Sequence, residues 1–171
     1  IPVYMYTGNH DLWMFGYFEK ELGAKVFYKP IDWEIAGKKF LIGHGDGLGP
    51  GDHIYKCTKK VFVTPFFQWL FKMTPPAIGM GIAKFWSGKS RLHNSDETFF
   101  AEKEFLWQYC NQQHTILERD FYIFGHRHLP LDLKVGEHSR YVNIGDWIGY
   151  NTYAEFDGET LKLIPWIDPL N

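Results

Sequence analysis

Short apolar runs that stop at a glycine and a polar cluster recur along the chain. Val3 to Tyr6 runs into Thr7-Gly8-Asn9-His10-Asp11, Phe40 to Ile42 into Gly43-His44-Gly45-Asp46, and Phe121 to Phe124 into Gly125-His126-Arg127-His128. Runs of this length, closed by turn residues, predict core strands that feed loops. Tyr141 to Ile144, stopping at Gly145-Asp146-Trp147, predicts a fourth, and Tyr153 to Phe156, Asp157-Gly158 and Leu161 to Ile164 predict a closing hairpin. The C-terminal half is therefore strand-rich. Between Phe15 and Leu22 the period is helical, with Phe18 and Leu22 four apart and Gly23 placed as the stop, so the first motif sits in a strand-loop-helix unit.

From Val61 to Trp86 the character changes. Phe62, Phe66, Trp69, Leu70 and Met73 fall at helical spacing, Pro75-Pro76 breaks the run, and Ile78, Ile82, Phe85 and Trp86 resume it, which predicts a helical hairpin. Three prolines and the charges of Lys72 and Lys84 rule out a membrane span, leaving a lid or membrane-contacting insertion, or a pair of ordinary core helices. A third helix is expected from about Asn94, with Glu97 as its capping-box partner, to about Gln113 through Phe99, Leu106 and Cys110.

Composition narrows the class. A chain of 171 residues with 45% hydrophobic content can bury one sizeable core, and a formal charge of −2 supplies no basic field of the kind that holds nucleic acid. Cys57 and Cys110 stand far apart with no metal-ligand spacing, which suits a reducing compartment and no disulfide. The opening Ile1 to Tyr6 reads as a buried strand with neither a leading Met nor a signal-peptide pattern, so further chain is expected upstream.

The candidate chemistry lies in the loops. Three strand ends each present a hard or borderline donor: the Asn9 amide oxygen, the His44 imidazole, and His126 with His128. Nitrogen and oxygen donors without thiolate suit Mn²⁺, Mg²⁺, Fe²⁺ or Zn²⁺ rather than a sulfur-rich structural zinc site. In extended chain, imidazoles at i and i+2 aim to one side, where they can serve two adjacent ions.

GNHD, GHGD and GHRH, in this order over Gly8 to His128, resemble the third, fourth and fifth motifs of the calcineurin-like metallophosphoesterases. The resemblance implies an α/β (α+β) fold, a four-layer αββα sandwich with two divalent metal ions between the strand ends, manganese foremost. By the same resemblance Asn9, His44 and His126 bind one ion and His128 completes the other. His10 protonates the leaving oxygen or steadies the phosphoryl group, and Asp11 orients it. The family's first two acidic motifs have no counterpart here and are expected upstream, which makes residues 1–171 the C-terminal part of a single domain. In the isolated piece, weak or absent metal is expected.

The stretch from His44 through Asp46, Asp52 and Tyr55, the aromatic hairpin, and Ser90-Arg91-Leu92-His93-Asn94 looks like the lid of the UDP-2,3-diacylglucosamine hydrolases, here expected over residues 52–113. In matching positions Asp52, Ser90 and Asn94 contact the glucosamine and phosphate, with Lys89 and Arg91 neutralising diphosphate charge. Asn94 also reads as a helix cap. The resemblance implies a cytoplasmic enzyme that rests on the anionic inner-membrane face and acts on a lipid-linked sugar nucleotide. An exposed sheet edge makes a homodimer a further expectation. Two departures stand out: His10 where many of these hydrolases carry Arg, and GHRH in place of the more usual GHTH.

Overall fold

The computed structural model describes residues 1–51, 53–81, 84 and 103–167. The chain divides into two compact units, one of residues 1–51 and 101–171 and one of residues 52–100.

In the first unit, three apolar runs are parallel neighbours in a five-stranded sheet. β3 (Ile31–Ile35), β4 (Lys38–Ile42), β5 (Phe121–Phe124), β6 (Pro130–Val135) and β7 (Ser139–Ile144) lie in the order β3-β4-β5-β7-β6. β4, β5 and β7 run parallel, while β3 and β6 are antiparallel edges. Side chains alternate across a strand, and both faces of these three strands are covered. Leu41, Tyr122, Phe124 and Tyr141 face one way, joining Leu106 and Cys110 of the helix Phe105–Ile116, called α4 below. Phe40, Phe121 and Val142 face the other, joining Leu161, Ala154 and Phe156 of the hairpin formed by β8 (Thr152–Phe156) and β9 (Leu161–Pro165). Strands buried on both faces read as unbroken apolar runs, which is why the sequence shows them so clearly.

The strands that escape the sequence pattern are edges. β1 (Tyr4–Tyr6) pairs in parallel with β2 (Lys25–Phe27), and neither β2 nor β3 carries a continuous apolar run. The β3–β4 hairpin turns on Ala36 and Gly37 with φ of 50° and 77°, a two-residue turn with both central residues left-handed. β6 starts with Pro130, as an edge strand can, and alternates Leu131, Leu133 and Val135 toward the core against Asp132 and Lys134. One ion pair ties the β3 edge down and another joins β4 to the start of β5. Arg119, buried, forks onto Asp32 of β3, and Asp120 accepts from Lys38 Nζ at 3.2 Å and the Lys39 amide at 2.8 Å.

β1–β2 reaches the second face of the large sheet through Trp33, whose indole donates to the Tyr6 hydroxyl at 2.6 Å and whose ring meets Tyr4 and Phe27. α1 (Tyr17–Leu22) contacts β2 and ends where expected, at Gly23 in the left-handed region. Several sheets and helices in one mixed α/β arrangement agree with the α/β fold expected. One expectation fails in this region. The opening strand is not buried: Ile1, Val3 and Tyr4 are exposed because β1 has β2 as its one ladder partner among the described residues.

The third helix also begins later than the sequence suggests. α4 starts at Phe105, because Glu104 is extended and caps it, accepting from the Leu106 amide through its own side chain. It runs on to Ile116, and the expected start at Asn94 lies outside the described residues. Residues 101–113, counted in the expected insertion, belong to the first unit.

The second unit holds α2 (His53–Phe62) and α3 (Pro65–Lys72), with residues 76–81 helical beyond them. The expected run from Val61 to Met73 is two helices, since Pro65 at the first turn of α3 has no amide to continue α2, and Thr64 Oγ1 closes on the Val61 carbonyl at 2.7 Å. Phe66, Phe67, Trp69, Leu70, Met73, Ile78 and Met80 are exposed. Among the described residues no helix is long and apolar enough to cross a membrane. Both cysteines are free.

Leu106, fully buried, joins α4 to the sheet. Leu106→Ala is expected to cost about 2–5 kcal/mol in urea unfolding, whereas Ile116→Ala, at an exposed position on the same helix, is expected to change stability by under about 0.5 kcal/mol.

Candidate metal centre

Parallel strands that end together deliver their loops to one edge, where open α/β sheets bind ligands. His44 follows β4, His126 follows β5 and Asp146 follows β7. The ladder continues into the loops: the Gly43 amide donates to the Ile123 carbonyl at 3.1 Å and the Gly125 amide to the His44 carbonyl at 2.9 Å. The two histidine rings come to 5.1 Å between centroids, edge to face. Gly45, at φ 114°, leaves room for this meeting, since a Cβ there would stand 3.0 Å from Leu106 Cδ1 and 3.4 Å from His126 Cβ.

The GNHD loop closes on the same point. A Cβ on Gly8 would fall 2.5 Å from His44 Nε2, so the glycine lets the backbone before Asn9 lie directly on that imidazole. His44 Nδ1 pairs with Asp46 Oδ1 at 2.9 Å, and Asp46 is buried. A carboxylate behind one ring nitrogen fixes the tautomer and leaves the lone pair on the other, Nε2, facing the Gly8-Asn9 loop.

Burial pushes His126 down to about 4, with its electrostatic coupling to the His44 ring second and His128 and Arg127 adding to it against the opposing pull of Asp46. The imidazole is therefore neutral at ordinary pH, as a metal ligand must be. His126 and His128 both hold left-handed backbone, φ 68° and 55°, rare for non-glycine residues and frequent at functional sites. His128 is exposed, with Nδ1 3.5 Å from Asp146 Oδ2. Three amides, of Gly149 at 2.7 Å and of Ile148 and Tyr150 at 3.1 Å, converge on Asp146 Oδ1 and hold its carboxyl below the usual range. Asn143 supports the GHRH loop, donating from Nδ2 to the Gly125 carbonyl and taking the Gly145 amide at 3.3 Å.

Of the residues singled out in the sequence, the fold brings His44 and His126 together and lays the loop carrying Asn9 against His44. His128 pairs with Asp146. His10 and Asp11 are exposed, and no hydrogen bond joins them; the Asp11 amide turns back onto the Gly8 carbonyl at 3.1 Å. Asp52, Ser90, Asn94, Lys89 and Arg91 lie outside the described residues. Asp46 and Asp146 were not read as site residues, although both stood in view: each follows a glycine just after an apolar run, as the histidines do. Among the described residues no group of three or more His, Cys, Asp and Glu side chains could hold a metal ion. His44 and His126 nevertheless fit a divalent cation in donor chemistry, each neutral or carboxylate-backed.

No family model matches the chain. Curated relatives do. The UDP-2,3-diacylglucosamine hydrolase of Porphyromonas gingivalis is 37% identical over 179 residues, covering 95% of this chain and 68% of its own length. The hydrolases of the same name from Histophilus somni and Vibrio vulnificus are each 29% identical, covering 86% and 97% of this chain and 62% and 70% of their own lengths. The chain spans about two thirds of the length of these relatives, and with identity of this level along nearly all of it, it belongs to the UDP-2,3-diacylglucosamine hydrolases, a family of metallophosphoesterases.

Proposed function

We propose that the protein carrying this chain hydrolyses the diphosphate of UDP-2,3-diacylglucosamine to 2,3-diacylglucosamine 1-phosphate and UMP, a step of lipid A synthesis. The observation that supports this most is the meeting of the His44 and His126 rings at the ends of parallel strands, with the Gly8-Asn9 loop lying on His44. Asn9, His44, His126 and His128 are the residues that would hold two divalent ions, manganese first. Such ions activate water and offset phosphoryl charge when bound. Within this reading Asp46 orients His44 and Asp146 orients His128.

His10, exposed beside Asn9, would protonate the leaving oxygen, a contribution of about 10²–10⁴-fold for general acids. With no hydrogen bond to Asp11, its orientation would come from the substrate. Asp52, Ser90, Asn94, Lys89 and Arg91 would meet the sugar and diphosphate. The exposed aromatic face of α3 supports acyl-chain binding, each buried methylene contributing about 0.8 kcal/mol. Lys59, Lys60 and Lys72, in the last turns of α2 and α3, would add attraction to an anionic membrane face.

Full-length protein with Mn²⁺ is expected to turn over the diacylated sugar nucleotide in preference to UDP-glucose and bis-nitrophenyl phosphate. Faster cleavage of the lipid-free diesters would point instead to another phosphodiesterase of this superfamily. Loss of a group behind a ligand commonly costs 10–100-fold, so His44→Ala or His126→Ala is expected to lower kcat/KM by at least about 100-fold. Gly8→Ala forces its methyl onto His44 Nε2, and a Mn²⁺ titration is expected to show binding weaker by roughly tenfold or more, with little change in Tm.

A further inference from the structure

Between the two histidines of the GHRH loop, Arg127 has a role that neither the ligand set nor the reaction uses. Its Nε donates to Glu104 Oε2 at 2.9 Å, and its guanidinium lies 5.7 Å from the centre of the Phe105 ring. The Glu104 side chain is 1% exposed, and its other oxygen accepts from the Leu106 amide at 3.4 Å at the start of α4. The Phe105 ring in turn lies edge-on to His126 at 6.1 Å. A carboxylate buried this deeply requires its cation, because removing one partner strands the other.

The backbone around Arg127 gives that anchor a consequence. His126 and His128 both sit in the left-handed region, which non-glycine residues keep only where the surroundings impose it. The Arg127 amide donates to the Gly125 carbonyl at 2.8 Å, and Gly125 is itself bonded to His44 and Asn143, so the first half of the turn is fixed by main-chain bonds. Its second half rests on side chains. His128 is exposed against Asp146, and Arg127 alone among residues 126–128 is hydrogen-bonded to a buried side chain from the neighbouring helix.

We propose that Arg127, held by Glu104, is a positioning residue that sets the backbone of the GHRH loop and so aims His126 and His128 at the metal. The inference rests on the metal-binding reading above. Arginine suits the task because its planar fork keeps Nε in place, whereas a lysine carries its charge at the end of a flexible stem.

Calorimetric titration of Mn²⁺ into the metal-free, full-length protein, alongside Tm, tests this. Arg127→Ala is expected to weaken Mn²⁺ binding by roughly 10–100-fold, the usual effect of losing a group behind the ligands. Arg127→Lys is expected to keep the fold and lie between Arg127→Ala and the wild type, and Glu104→Gln to weaken binding as well. The double variant Glu104→Gln with Arg127→Ala is expected to lose no more than the worse single change, because both act through one contact. Variants with lowered Tm but unchanged Mn²⁺ affinity would overturn the proposal, leaving the pair a prop for α4. If Arg127→Ala does not fold, Arg127→Lys decides: affinity equal to wild type overturns the proposal. A wild-type protein that binds no Mn²⁺ would instead sink the metal reading itself.

Discussion

The parallel pairing of β4, β5 and β7, sealed on both faces, is the constraint from which the rest of the first unit follows. Sealing requires a helix on one side and further strands on the other, since each face of a sheet must bury its apolar side chains against something. α4 meets the first need through Leu106 and Cys110, and the β8–β9 hairpin meets the second through Leu161 and Phe156. Parallel direction then forces three chain reversals at the same edge. Whatever residues stand just past those strands are brought together by topology, before any attraction between them acts. His44, His126 and Asp146 stand there.

That geometry explains which parts were legible in the sequence. A doubly buried strand has no polar alternation to blur it, so Phe121 to Phe124 could be read to the residue, and the glycine-led motifs behind such strands were found with their ligand candidates. Edge strands are half solvated, and β3, with Asp32 and Glu34 interleaved among Ile31, Trp33 and Ile35, gives no comparable run. The turn before β4 uses Ala36 rather than the Asn or Asp that usually announces a left-handed pair. The start of α4 was hidden for another reason. Glu104 acts as a cap through its carboxylate to the Leu106 amide, and Glu is not among the residues by which helix starts are usually recognised.

The site shows a similar division. Residue types pointed to metal chemistry, but the carboxylates behind the imidazoles are a matter of three-dimensional arrangement. Asp46 reaches His44 because Gly45, at φ 114°, turns the chain back between them. Asp146 is held for His128 by three amides of its own loop, so the carboxylate is oriented before any ligand arrives. Such pre-organisation costs little in a loop already bonded to itself, and it spares the imidazoles from ordering on binding.

The second unit poses a different balance. α2 and α3 are short, and helices of 10 and 8 residues draw little stability from propensity alone. Tertiary burial must hold them, yet Phe66, Trp69, Leu70 and Met73 on α3 remain exposed. A contiguous apolar surface of this kind on a folded protein marks a place where something apolar binds. Stability and exposure therefore pull in opposite directions on α3, where the apolar face that helical spacing creates is left without a covering layer among the described residues.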